Sequence, residues 1–270
     1  MLMTETTAGD LLRQWRQRRR MSQLDLAGEA EISQRHLSFL ESGRAKPSRE
    51  MVLRLAQQLD IPLRERNHLL LAAGFAPRYG ERRLDDPSLD AAREAIRHVL
   101  KGHEPNPAIA IDRHWHMVDA NAAIAPLLAD IADPGLLKPP VNVLRLSLHP
   151  AGLAPRVVNR HEWRLHLLDR LKRQLDASGD PFLADLEREL ASYPAGPRTQ
   201  PAHTEVSAGI VHPLILRSGN EVLTFISTTT IFGTPLDVTL SELAIESFFP
   251  ADQQTATALR KAVGARQGAT

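Results

Sequence analysis

The sequence contains no cysteine, which excludes disulfide frameworks, cysteine-ligated zinc sites and thiol catalysis. It also lacks any uninterrupted run of about 18 apolar residues, so no membrane-spanning helix is predicted. The first twenty residues carry five arginines and no apolar core, unlike a secretory signal peptide. These absences lead us to expect a cytoplasmic protein with no membrane partner.

Signatures of catalysis are missing as well. The chain has no G-x-S-x-G elbow, no H-E-x-x-H pair and no phosphate-binding P-loop. Its carboxylates are scattered, and although Asp112 and Asp119 flank a proposed hairpin, nothing marks them as an acid–base pair. We therefore predict that the protein is not an enzyme.

Eleven histidines raise the question of a metal site. His114 and His116 alternate on one predicted strand, which would place both rings on the same face. A third ligand, such as His149 or His212, would have to come from a distant part of the chain. No carboxylate at a suitable spacing supports such a site, so we predict no metal and no required cofactor.

Charge is unevenly distributed along the 270 residues. Residues 1–83 hold 15 Lys and Arg against 10 Asp and Glu, whereas the remainder holds 18 against 22. The length suits two domains, and the basic first part suits a polyanionic partner.

Five short helices are predicted over residues 9–73. Ser22 and Ser33 are typical N-cap residues, and Asp25, three residues after Ser22, gives a near capping box. Apolar residues at helical spacing form the core faces, with Leu24 and Ala27 expected to point inward from the second helix. The predicted helices at 22–30 and 33–42, joined by a short turn, have the dimensions of a helix-turn-helix.

Three segments carry the pattern of this region: Ser22-Gln23-Leu24-Asp25-Leu26-Ala27, Ile32-Ser33-Gln34 and Leu37-Ser38-Phe39-Leu40-Glu41-Ser42-Gly43-Arg44. They resemble the lambda-repressor-like, XRE-type DNA-binding family. The resemblance implies an all-α, five-helix domain that binds double-stranded DNA. One residue departs from the family pattern, because Glu31 stands where the turn usually has a glycine with a positive φ. That backbone conformation costs a non-glycine residue on the order of 1 kcal/mol.

By position, the resemblance assigns DNA contacts to the start of the second helix and to the recognition helix. Gln34 is expected to pair with adenine and Arg35 with guanine. Phe39 is open to two interpretations, contact with a thymine methyl group or packing in the core, and Glu41 is expected to pair internally. The predicted DNA-binding residues are Gln23, Ser33, Gln34, Arg35, His36, Ser38, Phe39, Arg44 and Lys46.

Beyond the first domain, residues 81–104 suggest a linker and a connecting helix. This helix, Asp90 to Lys101, is either a signalling or dimerisation helix or the first cover of the second domain. From Pro107 the pattern gives two strands, Ala108–Asp112 and Trp115–Ala120, then a helix capped by Asn121 and helices at 161–176 and 181–192. Three strands follow, Ile210–Arg217, Glu221–Ile231 and Leu243–Phe249, the first two joined by the turn Ser218-Gly219-Asn220. This order predicts an α+β domain with an antiparallel sheet. The predicted domains are 1–80, 81–104 as linker and connecting helix, and 105–265.

The second domain resembles a PAS-type sensor and, more specifically, the MmyB-like ligand-binding domain of XRE-type regulators. The residues that carry the resemblance are Val118–Ala123, Asn142–Leu146, Trp163 and Phe248-Phe249-Pro250. It implies a ligand-controlled repressor or activator whose effector is a fatty acid or a similar apolar small molecule.

A site for such a ligand requires apolar walls and a few polar anchors. Candidate walls, which are equally suited to an ordinary core, are Trp115, Leu144, Trp163, Leu167, Leu214, Leu216 and Phe225. Arg145 and His212 are candidate carboxylate anchors, and Asn121 is a further candidate ligand-binding residue. A homodimer is expected to read a two-fold DNA site. The alternative is a repressor or antitoxin-like regulator whose second domain makes only protein–protein contacts.

Overall fold

The computed structural model describes residues 6–196, 212–232 and 237–267. Its internal contacts divide the chain into two units, the first built on Met1–Arg83 with two short later segments, the second on most of the remainder. Helices alone form the bulk of the first unit, and the second combines helices with one antiparallel sheet. The predicted fold class is confirmed. Over the described ranges, no helix has both the length and the apolar character needed to cross a membrane.

The first unit contains five short helices. They are α1 (Ala8–Arg18), α2 (Gln23–Glu29), α3 (Gln34–Glu41), α4 (Arg49–Gln58) and α5 (Leu63–Ala72). The first four are preceded by Thr7, Ser22, Ser33 and Ser48, whose side chains each accept a hydrogen bond from the backbone N–H three residues later. These caps satisfy donors that would otherwise lack a partner at each helix start. The predicted capping box of Ser22 and Asp25 is confirmed.

The core of this unit draws on every helix, but one expected core residue lies outside it. Leu24 is 65% exposed, whereas Leu26 and Ala27 are buried. Leu26, Ala27 and Ala30 share one face of the helix, and Leu24 lies about a third of a turn away from its centre. On the opposite side of the core, α1 approaches α3 closely because Gly9 has no side chain. A Cβ atom there would lie 2.5 Å from the carbonyl oxygen of Leu40.

The later part of the chain contains five strands and seven further helices within the described ranges. The strands are β1 (Ala108–Ile111), β2 (Met117–Ala120), β3 (Leu214–Ser218), β4 (Glu221–Ile231) and β5 (Ala244–Pro250). The helices are α6 (Asp90–Gly102), α7 (Ala125–Leu128), α8 (Val143–Leu148), α9 (Arg160–Ser178), α10 (Pro181–Ser192), α11 (Val238–Ser241) and α12 (Gln253–Gln267). The sequence patterns missed α8, α11 and α12.

The five strands form one antiparallel sheet in the order β2-β1-β5-β4-β3. Three strands start later than predicted, the fifth by a single residue, at Ala244. The second begins at Met117 because Trp115 lies in the preceding turn with a φ of 64°. The third begins at Leu214 in place of Ile210, which falls outside the described residues.

Of the two roles left open for α6, the structure supports the cover of the second domain, because the helix packs against β1 and β2 and belongs to the second unit. Asn121 fixes this arrangement. Its side-chain nitrogen donates to the carbonyl oxygens of Leu100 and Asn106, and its side-chain oxygen accepts from the N–H of Ala108. A single buried amide therefore joins the end of α6 to the start of β1.

Candidate functional site

The predicted DNA-binding residues cluster at the start of α3, with flanking positions before and after it. Ser33, Gln34, Arg35, His36, Arg44 and Lys46 are exposed, and Gln23, Ser38 and Phe39 are half-buried. This exposure follows from the helix period, because Leu37 and Leu40 turn toward the core. The first unit thus presents amide, hydroxyl and cationic groups along one exposed helix face.

Phe39 is half-buried and does not belong to the core cluster of this unit, and its contact with a thymine methyl group stays a prediction. The guanidinium of Arg35 lies 5.3 Å from the centre of its ring, and that of Arg44 lies 5.8 Å away. Both distances suit cation–π attraction. The ring therefore supports two arginines of the predicted DNA-binding surface.

Glu41 is buried at the end of α3 and is neutralised within the protein, as expected. Its two carboxylate oxygens accept hydrogen bonds from Nε and Nη2 of Arg16 at 2.7 and 2.8 Å. Gln23 donates a third, at 2.8 Å. Burial would raise the pKa of Glu41, but the hydrogen bonds from Arg16 and Gln23 outweigh it and hold that pKa below its usual range. The three side chains link α1, α2 and α3.

The turn between α2 and α3 uses the backbone geometry that the sequence suggested. Glu31 has a φ of 53°, in the left-handed region that glycine adopts most readily. The turn keeps its shape without glycine, at a cost in conformational energy.

The second unit contains a partly open apolar cavity of about 100 Å³. It lies among strands β1–β5 and helices α7–α9. Seven predicted wall residues line it together: Trp115, Leu144, Trp163, Leu167, Leu214, Leu216 and Phe225. Residues that the sequence did not single out complete the lining, notably Leu128, Ser147, Arg170, Glu246 and Phe248.

Both expected anchors lie elsewhere. Arg145 forms a bidentate pair with Glu189, with bonds of 2.7 to 3.0 Å, and Glu189 also accepts from the hydroxyl of Tyr193. The ring of His212 stacks against His166 with 4.9 Å between the ring centres. Neither side chain lines the cavity. Asn121 has the structural role described above.

His114 and His116 contact separate carboxylates. Nε2 of His114 lies 2.9 Å from Asp180, and Nδ1 of His116 lies 3.2 Å from Asp112. Across the described ranges, no three His, Asp or Glu side chains are grouped as a metal site would require.

The polar end of the cavity was not predicted from the sequence. Arg170 and Glu246 form an ion pair, and Thr229 bridges them. On α9, Arg170 follows Trp163 and Leu167 at helical spacing, so it shares their face. On β5, Glu246 alternates with Phe248 and so faces the same side. The signal in the sequence that could have revealed this polar end was a charged residue on an otherwise apolar face of a helix or strand.

Trp115 connects this polar end to the turn between β1 and β2. Arg170 lies 4.9 Å above its ring, and its indole N–H donates to Gln174 at 2.7 Å. Its carbonyl oxygen accepts from the N–H of Val143 at the start of α8. A bulky residue rarely adopts a positive φ, and such strain persists where several contacts hold it. Trp115 is thus a fixed wall of the cavity.

Comparison with protein families gives two matches along the chain. A family model described as helix-turn-helix matches residues 12–66. A second, described as MmyB-like transcription regulator ligand binding domain, matches residues 92–262, more than half of the chain. No curated protein matches the sequence. The first match covers the capped helices with the exposed recognition face, and the second covers the cavity.

Proposed function

The chain belongs to the MmyB-like transcription regulators, and from this premise we propose that a small apolar molecule in the cavity controls its binding to DNA. The cavity itself carries the proposal. Apolar side chains form most of its lining, and the paired side chains of Arg170 and Glu246 lie at one end. That combination is typical of a site that binds a small molecule.

Size and lining indicate the class of ligand. An engineered apolar cavity of about 150 Å³ holds benzene. A space of about 100 Å³ therefore suits a short alkyl chain or a single ring, and a longer fatty-acid-like chain requires the walls to move apart. The five-stranded antiparallel sheet with its helices supports a PAS-type sensor arrangement. No other cofactor is part of the proposal.

For DNA recognition, we propose that α3 enters the major groove. Gln34 and Arg35 read base edges, and Arg44 and Lys46 contact phosphates. One such domain contacts few base pairs, so a homodimer on a two-fold site is the proposed functional form, working in the cytoplasm where the DNA lies. The ligand acts by favouring one of two states of the dimer that differ in DNA affinity.

The proposal is tested by extracting the purified, denatured protein with organic solvent and analysing the extract by mass spectrometry. We expect a stoichiometric apolar molecule that changes the affinity of ligand-free protein for DNA when it is added back. An empty extract, together with DNA binding that no apolar compound alters, would contradict ligand control. The second domain would then be assigned to protein–protein contacts.

A further inference from the structure

One end of the cavity carries opposite charges that compensate each other. Arg170 on α9 donates from Nη1 and Nη2 to the two carboxylate oxygens of Glu246 on β5. Thr229 accepts from Nη2 of Arg170 at 3.0 Å and donates to Glu246 at 2.9 Å. The side chain of Glu246 is 5% exposed and that of Arg170 is 20% exposed. The pair is therefore largely removed from water.

These two residues are the charged members of the lining within the described chain, so the lining is neutral overall. A ligand carboxylate entering this site would meet a cation that already has an anion. Displacing Glu246 would leave its charge buried without a partner. Adding a second carboxylate beside Glu246 would place two like charges in an apolar space.

We propose that the cavity selects a neutral ligand with an alkyl or aromatic body and a hydrogen-bonding head group, and that it discriminates against free carboxylates. The inference rests on the proposed function, since it specifies the ligand of the same cavity. Alcohols, esters and amides fall in the selected class.

Neutral head groups find partners at this end. A guanidinium has five N–H donors, and the hydrogen bonds of Arg170 to described residues occupy three of them. A hydroxyl or carbonyl oxygen can accept from the remaining N–H groups without disturbing Glu246. Elsewhere in the lining, the hydroxyl of Ser147 accepts from the indole N–H of Trp163 at 3.0 Å.

The test compares matched probes on the full-length, ligand-free protein. Hexanol and hexanoate, then dodecanol and dodecanoate, are titrated at neutral pH, where the acids are ionised. Binding is followed by calorimetry and by the fluorescence of Trp115 and Trp163, which line the cavity. We expect each alcohol to bind at least about tenfold more tightly than the matching carboxylate.

Glu246→Gln should reverse the preference, because it keeps the size and hydrogen bonding of the side chain but releases the charge of Arg170. The carboxylate probes should gain about tenfold or more in affinity. The matched control is Glu189→Gln, which breaks the pair with Arg145 outside the cavity and should leave the preference unchanged. If Glu246→Gln fails to fold, the double variant Arg170→Gln with Glu246→Gln removes both charges and should still favour the alcohols.

The possible failures are distinct. Equal or tighter binding of carboxylates by the unmodified protein would overturn the inference while leaving ligand control intact. Equal changes in the alcohol–carboxylate preference in Glu246→Gln and Glu189→Gln would likewise overturn the inference and leave ligand control intact. Binding of none of the four probes would overturn both the inference and the proposed apolar ligand.

Discussion

Arg16 and Glu41 form a buried bidentate ion pair between the first helix and the end of the recognition helix, with side chains that are 11% and 2% exposed. The pair lies 25 residues apart in sequence. Glu41 would repel DNA phosphates if it were free, but here its charge orients the helix that carries the DNA-binding surface. The stability of this domain and the placement of its recognition helix therefore share one contact.

Glu41→Ala is expected to destabilise the first domain by about 3–5 kcal/mol, because it leaves the guanidinium of Arg16 buried without its partner. Chemical denaturation followed by the fluorescence of Trp15, which belongs to this core, measures the effect. Arg13→Ala is the control, since Arg13 forms an exposed pair with Asp10 that is worth about 0–1 kcal/mol. Similar losses in the two variants would show that the buried pair contributes little.

Glu31→Gly is expected to stabilise the first domain by about 0.5–1 kcal/mol. The substitution removes the cost of a left-handed backbone, partly offset by the greater freedom of glycine in the unfolded chain. The control is the same exchange two residues earlier. Glu29→Gly, within α2, should destabilise by about 0.5–1 kcal/mol. Thermal unfolding of both variants checks the opposite signs, and a loss of stability in both would refute the strain at Glu31.

Arg35→Ala should weaken binding to a selected DNA sequence by about 1–3 kcal/mol and relax the preference at one base pair. Lys46→Ala provides the comparison, because loss of a phosphate contact weakens binding to all sequences and lowers the salt dependence by about one unit of slope. Binding to a randomised DNA library at several salt concentrations separates the two effects. Uniform weakening by Arg35→Ala would exclude base reading by that residue.

Interactions between residues close in the sequence could be predicted, whereas interactions between residues far apart in the sequence could not. Ser22 and Ser33 cap helices through bonds to residues three positions away, so the sequence around each contains the whole interaction. The pair between Arg170 and Glu246 joins residues 76 positions apart, and no local pattern brings them together. Arg145 illustrates the converse, because it looked available until the fold placed Glu189 against it.

The aromatic walls of the cavity were easier to predict than its polar anchors, because burial does not depend on which distant residues become partners. Apolar residues of a predicted sheet and its covering helices must turn toward one core, whichever way the elements pair. Trp115 was identified as a wall, yet its left-handed backbone and its bond to Gln174 depend on α9 lying against the β1–β2 turn. Burial is thus accessible from the sequence, whereas specific polar partners require the three-dimensional arrangement.

His166 makes the stability of the second domain depend on pH. Burial, together with the positive charges of His212 and Arg170, lowers the pKa of His166 to about 4 from an ordinary 6.5. The unfolded chain then binds more protons between these values, so stability is full above about pH 6.5 and falls as the pH drops toward 4. His166→Gln should flatten this part of the curve, measured by denaturation at each pH. His36→Gln, at an exposed position, provides the control. If His166→Gln leaves the dependence of stability on pH unchanged, His166 is not the source of that dependence.

Leu144→Phe should fill part of the cavity, because Leu144 lines it from α8. Overpacking a filled core costs about 1–3 kcal/mol. The added ring atoms of this variant have space to occupy, so the free energy of unfolding should change by less than that. Binding of apolar probes should be lost, while DNA binding by ligand-free protein should remain. Leu186→Phe is the matched control, since Leu186 is equally buried in the same core but does not line the cavity. It should cost the full overpacking energy and retain probe binding. If probes bind Leu144→Phe normally, the ligand lies elsewhere, and the cavity is only a packing defect of the core.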